Sequence, residues 1–192
     1  MISWLAKMIL KLFGWKTIGV PPDINKYVII GAPHTTAWDF PIMLFGSLAV
    51  NIRVHWLGKA SLFRGPWGFF FKQLGGIPIN RSVHTNTVQQ IINIFEEKEH
   101  LILTLSPEGT RQATDYWKSG FYYIALGANV PIYMGFTDYQ RKLTGVAGYL
   151  IPTGNIEEDM RKIRAFYQRI PGKYPDQTGP IRLKEENSNY EH

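Results

Sequence analysis

The chain has 192 residues, 45% of them hydrophobic, which suits one domain with a sizeable core and excludes a disordered polymer. Its 21 Lys+Arg against 15 Asp+Glu give a formal charge of +6, which favours phosphates, anionic lipids or nucleic acid without choosing among them. With no cysteine in the chain, disulfides, thiolate catalysis and Cys-ligated zinc are excluded.

Residues 1–16, MISWLAKMILKLFGWK, place Ile2, Leu5, Ile9, Leu12 and Phe13 on one side of a helical wheel. Lys7 and Lys11 fall opposite, and Trp4 and Trp15 lie near the border between the faces. This is the pattern of an amphipathic helix lying in a membrane interface, and a terminal helix packed on its own domain shows the same periodicity. No run reaches the roughly 18–20 apolar residues needed to cross a bilayer, and the first twenty residues lack a cleavage signal. The expectation is a peripheral protein on the cytoplasmic face of a membrane, with no spanning helix and no export.

Gly19-Val20-Pro21-Pro22 ends this first unit, residues 1–20, before a main domain over residues 21–170. Short apolar runs then alternate with helical patterns, which predicts an α/β fold with a central, mostly parallel or mixed sheet flanked by helices. Strands are expected at Tyr27–Ile30, Arg53–Leu57, Ile77–Ile79, Leu101–Leu105, Val130–Gly135 and Leu143–Ile151. Helices are expected at about Phe40–Val50, Pro66–Leu74, around Val88–Phe95, at Tyr116–Gly127 and at Glu157–Ile170. Pro78 within its strand implies an edge or a bend. Residues 171–192, rich in Pro, Gly and charge, are read as a weakly ordered tail.

The first polar turn, HTTAWD, sets His34 five residues before Asp39 where a strand gives way to a helix. A His accepts a proton from an attacking hydroxyl when the correct ring nitrogen is free, and a carboxylate on the other nitrogen fixes that tautomer. Thr36-Ala37-Trp38-Asp39 also matches a capping box, in which Asp39 satisfies backbone donors and nothing more. The turn SPEGTR, Ser106 to Arg111, follows a strand and offers a guanidinium able to grip a phosphate in two places. No Gly-x-Ser-x-Gly elbow occurs, so a serine hydrolase lacks its nucleophile turn. His55, His84, His100 and His192 show no paired ligand spacing and argue for no metal, and the scattered cations match no nucleic-acid recognition motif.

HTTAWD and SPEGTR in this order, with GKASLF, GGIPINRS and VPIY around the second, resemble the glycerolipid acyltransferase family, whose best known members are the lysophosphatidic acid acyltransferases. The resemblance covers roughly residues 25–136. It implies an O-acyltransferase that moves a fatty acyl group from acyl-CoA or acyl carrier protein, with no further cofactor, to the hydroxyl of a lysophospholipid such as 1-acylglycerol-3-phosphate. His34 would be the general base and Asp39 its orienting partner. Lys59, Arg81, Glu108, Gly109, Thr110 and Arg111 would bind the acceptor and its phosphate. Members commonly carry Ile-Asp-Arg where this chain has Ile79-Asn80-Arg81, so one carboxylate is missing beside the expected phosphate site. Another lysolipid acceptor, such as lyso-ornithine lipid, or a non-catalytic membrane-binding relative, are the competing readings. The aromatic run Phe63, Trp67, Phe69, Phe70 and Phe71 has three candidate roles: lining an acyl channel, dipping into a bilayer, or packing in the core.

Overall fold

The computed structural model describes residues 2–19, 23–79 and 87–186, which form a seven-stranded mixed sheet with helices on both faces. In chain order the elements are α1 (Ile2–Leu12), β1 (Lys16–Ile18), β2 (Lys26–Gly31), α2 (Asp39–Ala49), β3 (His55–Lys59), α3 (Pro66–Gln73) and β4 (Gly76–Ile79). Then come α4 (Thr87–Glu97), β5 (Leu101–Leu105), α5 (Gly120–Gly127), β6 (Ile132–Asp138), β7 (Leu143–Leu150) and α6 (Ile156–Tyr167). Short 3-10 turns lie at Ala60–Phe63 and Pro175–Gln177.

The strand order is β1-β7-β6-β2-β5-β3-β4. The β6–β7 pair is antiparallel and every other pair is parallel. The chain steps from β2 to β3 to β4 in one direction across the sheet, then returns through β5 to β6. Right-handed crossovers therefore put α2 and α3 on one face and α4 and α5 on the other. The two-residue period of β2 serves both faces. Val28 and Ile30 enter the larger core with Ile91, Phe95, Phe121, Tyr122, Met160 and Ile163, whereas Tyr27 and Ile29 pack with Ile52, Val54 and Met43 under α2. β4 is an edge strand, as Pro78 in its interior requires.

Several expectations change. α1 ends at Leu12, and Trp15, outside the helix, is buried with Ala6, Leu10 and Ala49. The three-residue β1 that follows pairs with β7 and has no sequence signature of its own. The fifth helix starts at Gly120, not Tyr116, because the backbone of 117 and 118 is spent elsewhere: Trp117 N–H donates to the Arg182 carbonyl and Lys118 N–H to that of Pro107. The tail read as weakly ordered is packed over residues 171–186: Leu183 is fully buried, and Arg164 donates to Glu186 and to the Ile181 carbonyl. Composition hid this, since one buried leucine and side-chain bonds from distant residues suffice to hold such a segment. Among the described residues, no helix is long and apolar enough to cross a membrane.

Candidate active site

Three neighbouring strands, β5, β2 and β6, are parallel and end at the same edge of the sheet, with Ile30 level with Leu105 and with Met134. The loops that leave β2 and β5, residues 32–38 and 106–111, therefore emerge side by side. A sequence separation of about seventy residues collapses to hydrogen-bond distance: the His34 main-chain N–H donates to Glu108 Oε2 at 2.8 Å.

His34 Nδ1 lies 3.0 Å from Asp39 Oδ2. The same oxygen accepts the main-chain N–H groups of Thr35 and Thr36, each at 3.0 Å. Asp39 thus satisfies backbone donors of the turn ahead of α2 and orients the imidazole at once, while the cap of α2 itself is Trp38, with no side-chain cap bond. Its other oxygen accepts the Tyr139 hydroxyl at 2.6 Å, from the residue that follows β6. A carboxylate with every bond committed cannot rotate, and it holds Nδ1 as the protonated nitrogen of the neutral ring. Nε2 is left as the basic position, on a side chain 27% exposed.

Burial pushes the Glu108 carboxyl up to about 7, against the opposing pull of the His34 N–H and ring and the Ser106 hydroxyl. Burial also raises the Tyr139 phenol, reinforced by its bond to Asp39, so it stays a donor. Tyr167, wholly buried beneath, donates to the carbonyls of Ile30 and Gly135 at 2.7 and 2.9 Å and ties the ends of β2 and β6 together. The C-terminal segment closes the outer side. Tyr174 N–H donates to Thr35 Oγ1 at 3.3 Å, and the Gln177 amide, with its nitrogen turned to the two carbonyls, donates to Thr35 and Arg111 at 2.9 Å each.

A cavity of about 560 Å³ opens at His34 and Asp39. Gly109, Thr110 and Arg111 line its mouth, and Met43, Gly46, Ser47 and Val50 line it along the inner face of α2. The opposite wall comes from Ile29, Gly31, Val54, Thr104 and Gly135 on the sheet. Small residues create the space. A Cβ at Gly31 would meet nothing closer than 4.0 Å, whereas one at Gly46 would come within 3.2 Å of Thr144. The cavity lies beneath the 11-residue α2, which lines it from Asp39 to Ser47. It is mainly apolar, and its volume falls in the range common for small-molecule sites.

Of the residues singled out from sequence, the structure brings together His34, Asp39, Glu108, Gly109, Thr110 and Arg111. Lys59 is exposed at the end of β3, on the same edge of the sheet but not in the cavity wall. Arg81 lies outside the described residues. The aromatic run does not line the cavity: Phe63 and Phe71 pack on Trp56, and Trp67, Phe69 and Phe70 are exposed. Sequence reading missed Tyr139, Gln177 and Lys118, whose side chain lies against Gly109 so closely that a Cβ there would be 2.7 Å from it. Gly109 has φ +65°, a second reason for glycine at the turn.

Comparison with known proteins bears on the family and the fold. The sequence model of the acyltransferase family matches residues 20–134. No curated protein matches. Among solved structures, the fold is similar to the crystal structure of the 1-acyl-sn-glycerophosphate (LPA) acyltransferase PlsC from Thermotoga maritima, with a TM-score of 0.58 and 16% identity over 86% of this chain and 74% of that one. At that identity the likeness concerns the fold, whereas the family match spans more than half of the chain and includes both the HTTAWD and SPEGTR turns. The chain belongs to the acyltransferase family.

Proposed function

We propose that the protein transfers a fatty acyl group from acyl-CoA or acyl carrier protein to the hydroxyl of a lysophospholipid such as 1-acylglycerol-3-phosphate, with His34 as general base. The observation that carries this reading is the position of the His34–Asp39 pair in the wall of a mainly apolar cavity that lies under α2. The acyl chain would lie under α2, with its thioester carbonyl beside His34. As the acceptor oxygen attacks that carbonyl carbon, Nε2 takes the hydroxyl proton, and Asp39 stabilises the imidazolium that forms. Collapse of the tetrahedral intermediate breaks the carbon–sulfur bond, and His34 returns the proton to the leaving thiolate. No acyl group passes through the enzyme. Holding donor and acceptor aligned in the cleft is worth roughly 7–11 kcal/mol in reactions of this kind.

Arg111, with the Gly109–Thr110 backbone, would hold the acceptor phosphate at the mouth. Arg81 and Lys59 are assigned to the same task by family resemblance, and Lys118 by its place against Gly109. Tyr139 would keep Asp39 in register with the imidazole. The name of the structural neighbour, an acyltransferase for 1-acyl-sn-glycerophosphate, supports a phosphate-bearing acceptor. The lipid acceptor and the amphipathic α1 fit a protein working at a membrane surface, docked from the cytoplasmic side.

The test is to incubate purified protein with labelled acyl-CoA or acyl carrier protein and a panel of lysolipids. Acylation of 1-acylglycerol-3-phosphate, abolished in His34→Ala without loss of fold, is the expected result. Near wild-type turnover in that variant would remove His34 as the base, and transfer only to a neutral lysolipid would overturn the acceptor assignment.

A further inference from the structure

The apolar side chains around α3 divide into two sets. Phe63 and Phe71 turn inward, their ring centres 5.9 and 6.1 Å from that of Trp56. Gly68 sits so tightly on this layer that a Cβ would lie 2.1 Å from the Phe63 carbonyl oxygen. Leu62, Trp67, Phe69 and Phe70 turn outward and are 45–71% exposed. Exposed Arg64 and Lys72 flank them in sequence. Grouped aromatic rings in water mark an interaction surface more often than an accident of composition.

The charge of the chain is distributed in a way that says what the surface meets. Residues 1–95 hold nine Lys and Arg but only two acids, Asp23 and Asp39, whereas residues 96–192 hold twelve against thirteen. Between Phe40 and Phe95 there are five cations and no acid. Asp39 is buried, so α1, α2, α3 and their connections present almost no negative charge. These three helices share one face of the sheet. α2 packs on α1 through Ile42, Phe45 and Leu48, and its first turn reaches the α3 side, where the ring centres of Phe40 and Trp56 are 5.2 Å apart. On α1, Ile2, Trp4, Leu5, Met8 and Leu12 are exposed, while Ala6 and Leu10 make the contact with the domain.

We infer that Leu62, Trp67, Phe69 and Phe70 form a second membrane-inserting element, which with α1 seats this face of the protein on an anionic lipid surface. Aromatic rings favour the headgroup level of a bilayer, and Lys and Arg beside them are drawn to anionic lipid. Two attachment points, one on each side of α2, fix orientation where a single helix would leave the protein free to pivot. In that orientation the cavity under α2 is bracketed by inserted side chains and takes its lipid chains from the bilayer. The proposal extends the acyl-transfer reading and rests on it only for this last consequence.

The absence of cysteine makes the test direct. Phe69→Cys, Phe13→Cys and, on the opposite face, Glu157→Cys are each labelled with an environment-sensitive fluorophore and mixed with vesicles of phosphatidylcholine, with and without phosphatidylglycerol. The expected result is a blue shift at positions 69 and 13 on anionic vesicles only, and none at 157. The triple variant W67S/F69S/F70S keeps the inward Phe63 and Phe71 and should bind those vesicles about tenfold more weakly or worse, with an unchanged unfolding midpoint. A shift at 13 without one at 69, or unaltered vesicle binding by the triple variant, overturns the proposal. So does a change in sedimentation of the vesicle-free triple variant from dimer to monomer, which would assign the surface to a second copy of the chain. These readouts involve no turnover, so a protein that inserts both elements but acylates none of the tested lipids refutes the acyl-transfer reading alone.

Discussion

Replacing Glu108 with Gln tests how the buried carboxyl between the two motif turns is balanced. The Gln side-chain oxygen can still accept the His34 N–H, so the variant removes the ionisable group and little else. Burial raises this carboxyl from 4.5 to about 7. The native state therefore holds the Glu108 proton more tightly than the unfolded chain does. The stability this contributes is fully present below pH 4.5 and is lost as pH rises through about 7. At 1.36 kcal/mol for each pH unit between the two values, the loss is roughly 3 kcal/mol. Little of it is screened by solvent, since Glu108 is 5% exposed. Urea unfolding of both proteins at a series of pH values from about 4 to 8.5 measures it. Stability of the wild type relative to Glu108→Gln should fall across that range, most steeply between 4.5 and 7. A pH-independent difference would mean that Glu108 stays ionised in the fold, and the account of its burial would be refuted.

Three further predictions concern turnover. Tyr139→Phe deletes a hydrogen bond to a charged oxygen, which is worth roughly 1.5–3 kcal/mol, and should lower kcat about tenfold or more with KM little changed; kinetics with kcat intact would show that Asp39 needs no third support. Arg111→Ala should weaken a phosphate-bearing acceptor and spare a neutral one, and equal losses for both would argue against phosphate contact at that turn. Gly46→Leu places a side chain where Thr144 is already within 3.2 Å of a Cβ, and should shift the product profile to shorter acyl chains while short-chain donors are still used. An unchanged profile would place the acyl chain elsewhere.

The parts of the site legible in the sequence are those whose chemistry is local. His34 and Asp39 are five residues apart, and the turn from Glu108 to Arg111 follows a strand that anyone would assign from Leu101 to Leu105. What sequence could not supply is support from a distance. Tyr139 lies one hundred residues beyond Asp39, just after β6, a strand that lies beside β2 although three strands separate the two in sequence, and no spacing rule connects them. The cavity escaped for a related reason, because glycines at positions 31 and 46, one on the sheet and one on α2, both line it, and each alone reads as a minor weakness in its element. For the aromatic run, composition was informative but direction was not, since Gly68 decides which rings turn inward. β1 was too short to carry a pattern, and its pairing comes from β7, more than 120 residues later.

The Gln177 amide spans the carbonyls of Thr35 and Arg111, and its position near the end of the described chain has a bearing on biosynthesis. A ribosome delivers His34 and Asp39 first, then the Glu108 turn, then Tyr139, and the clasp across both turns last. A nascent chain released before residue 177 would contain every residue of the two motifs, all seven strands and the His34–Glu108 bond, yet lack this outer clasp on the turns. Competence would then be acquired late in synthesis, after the apolar cavity has already closed around itself.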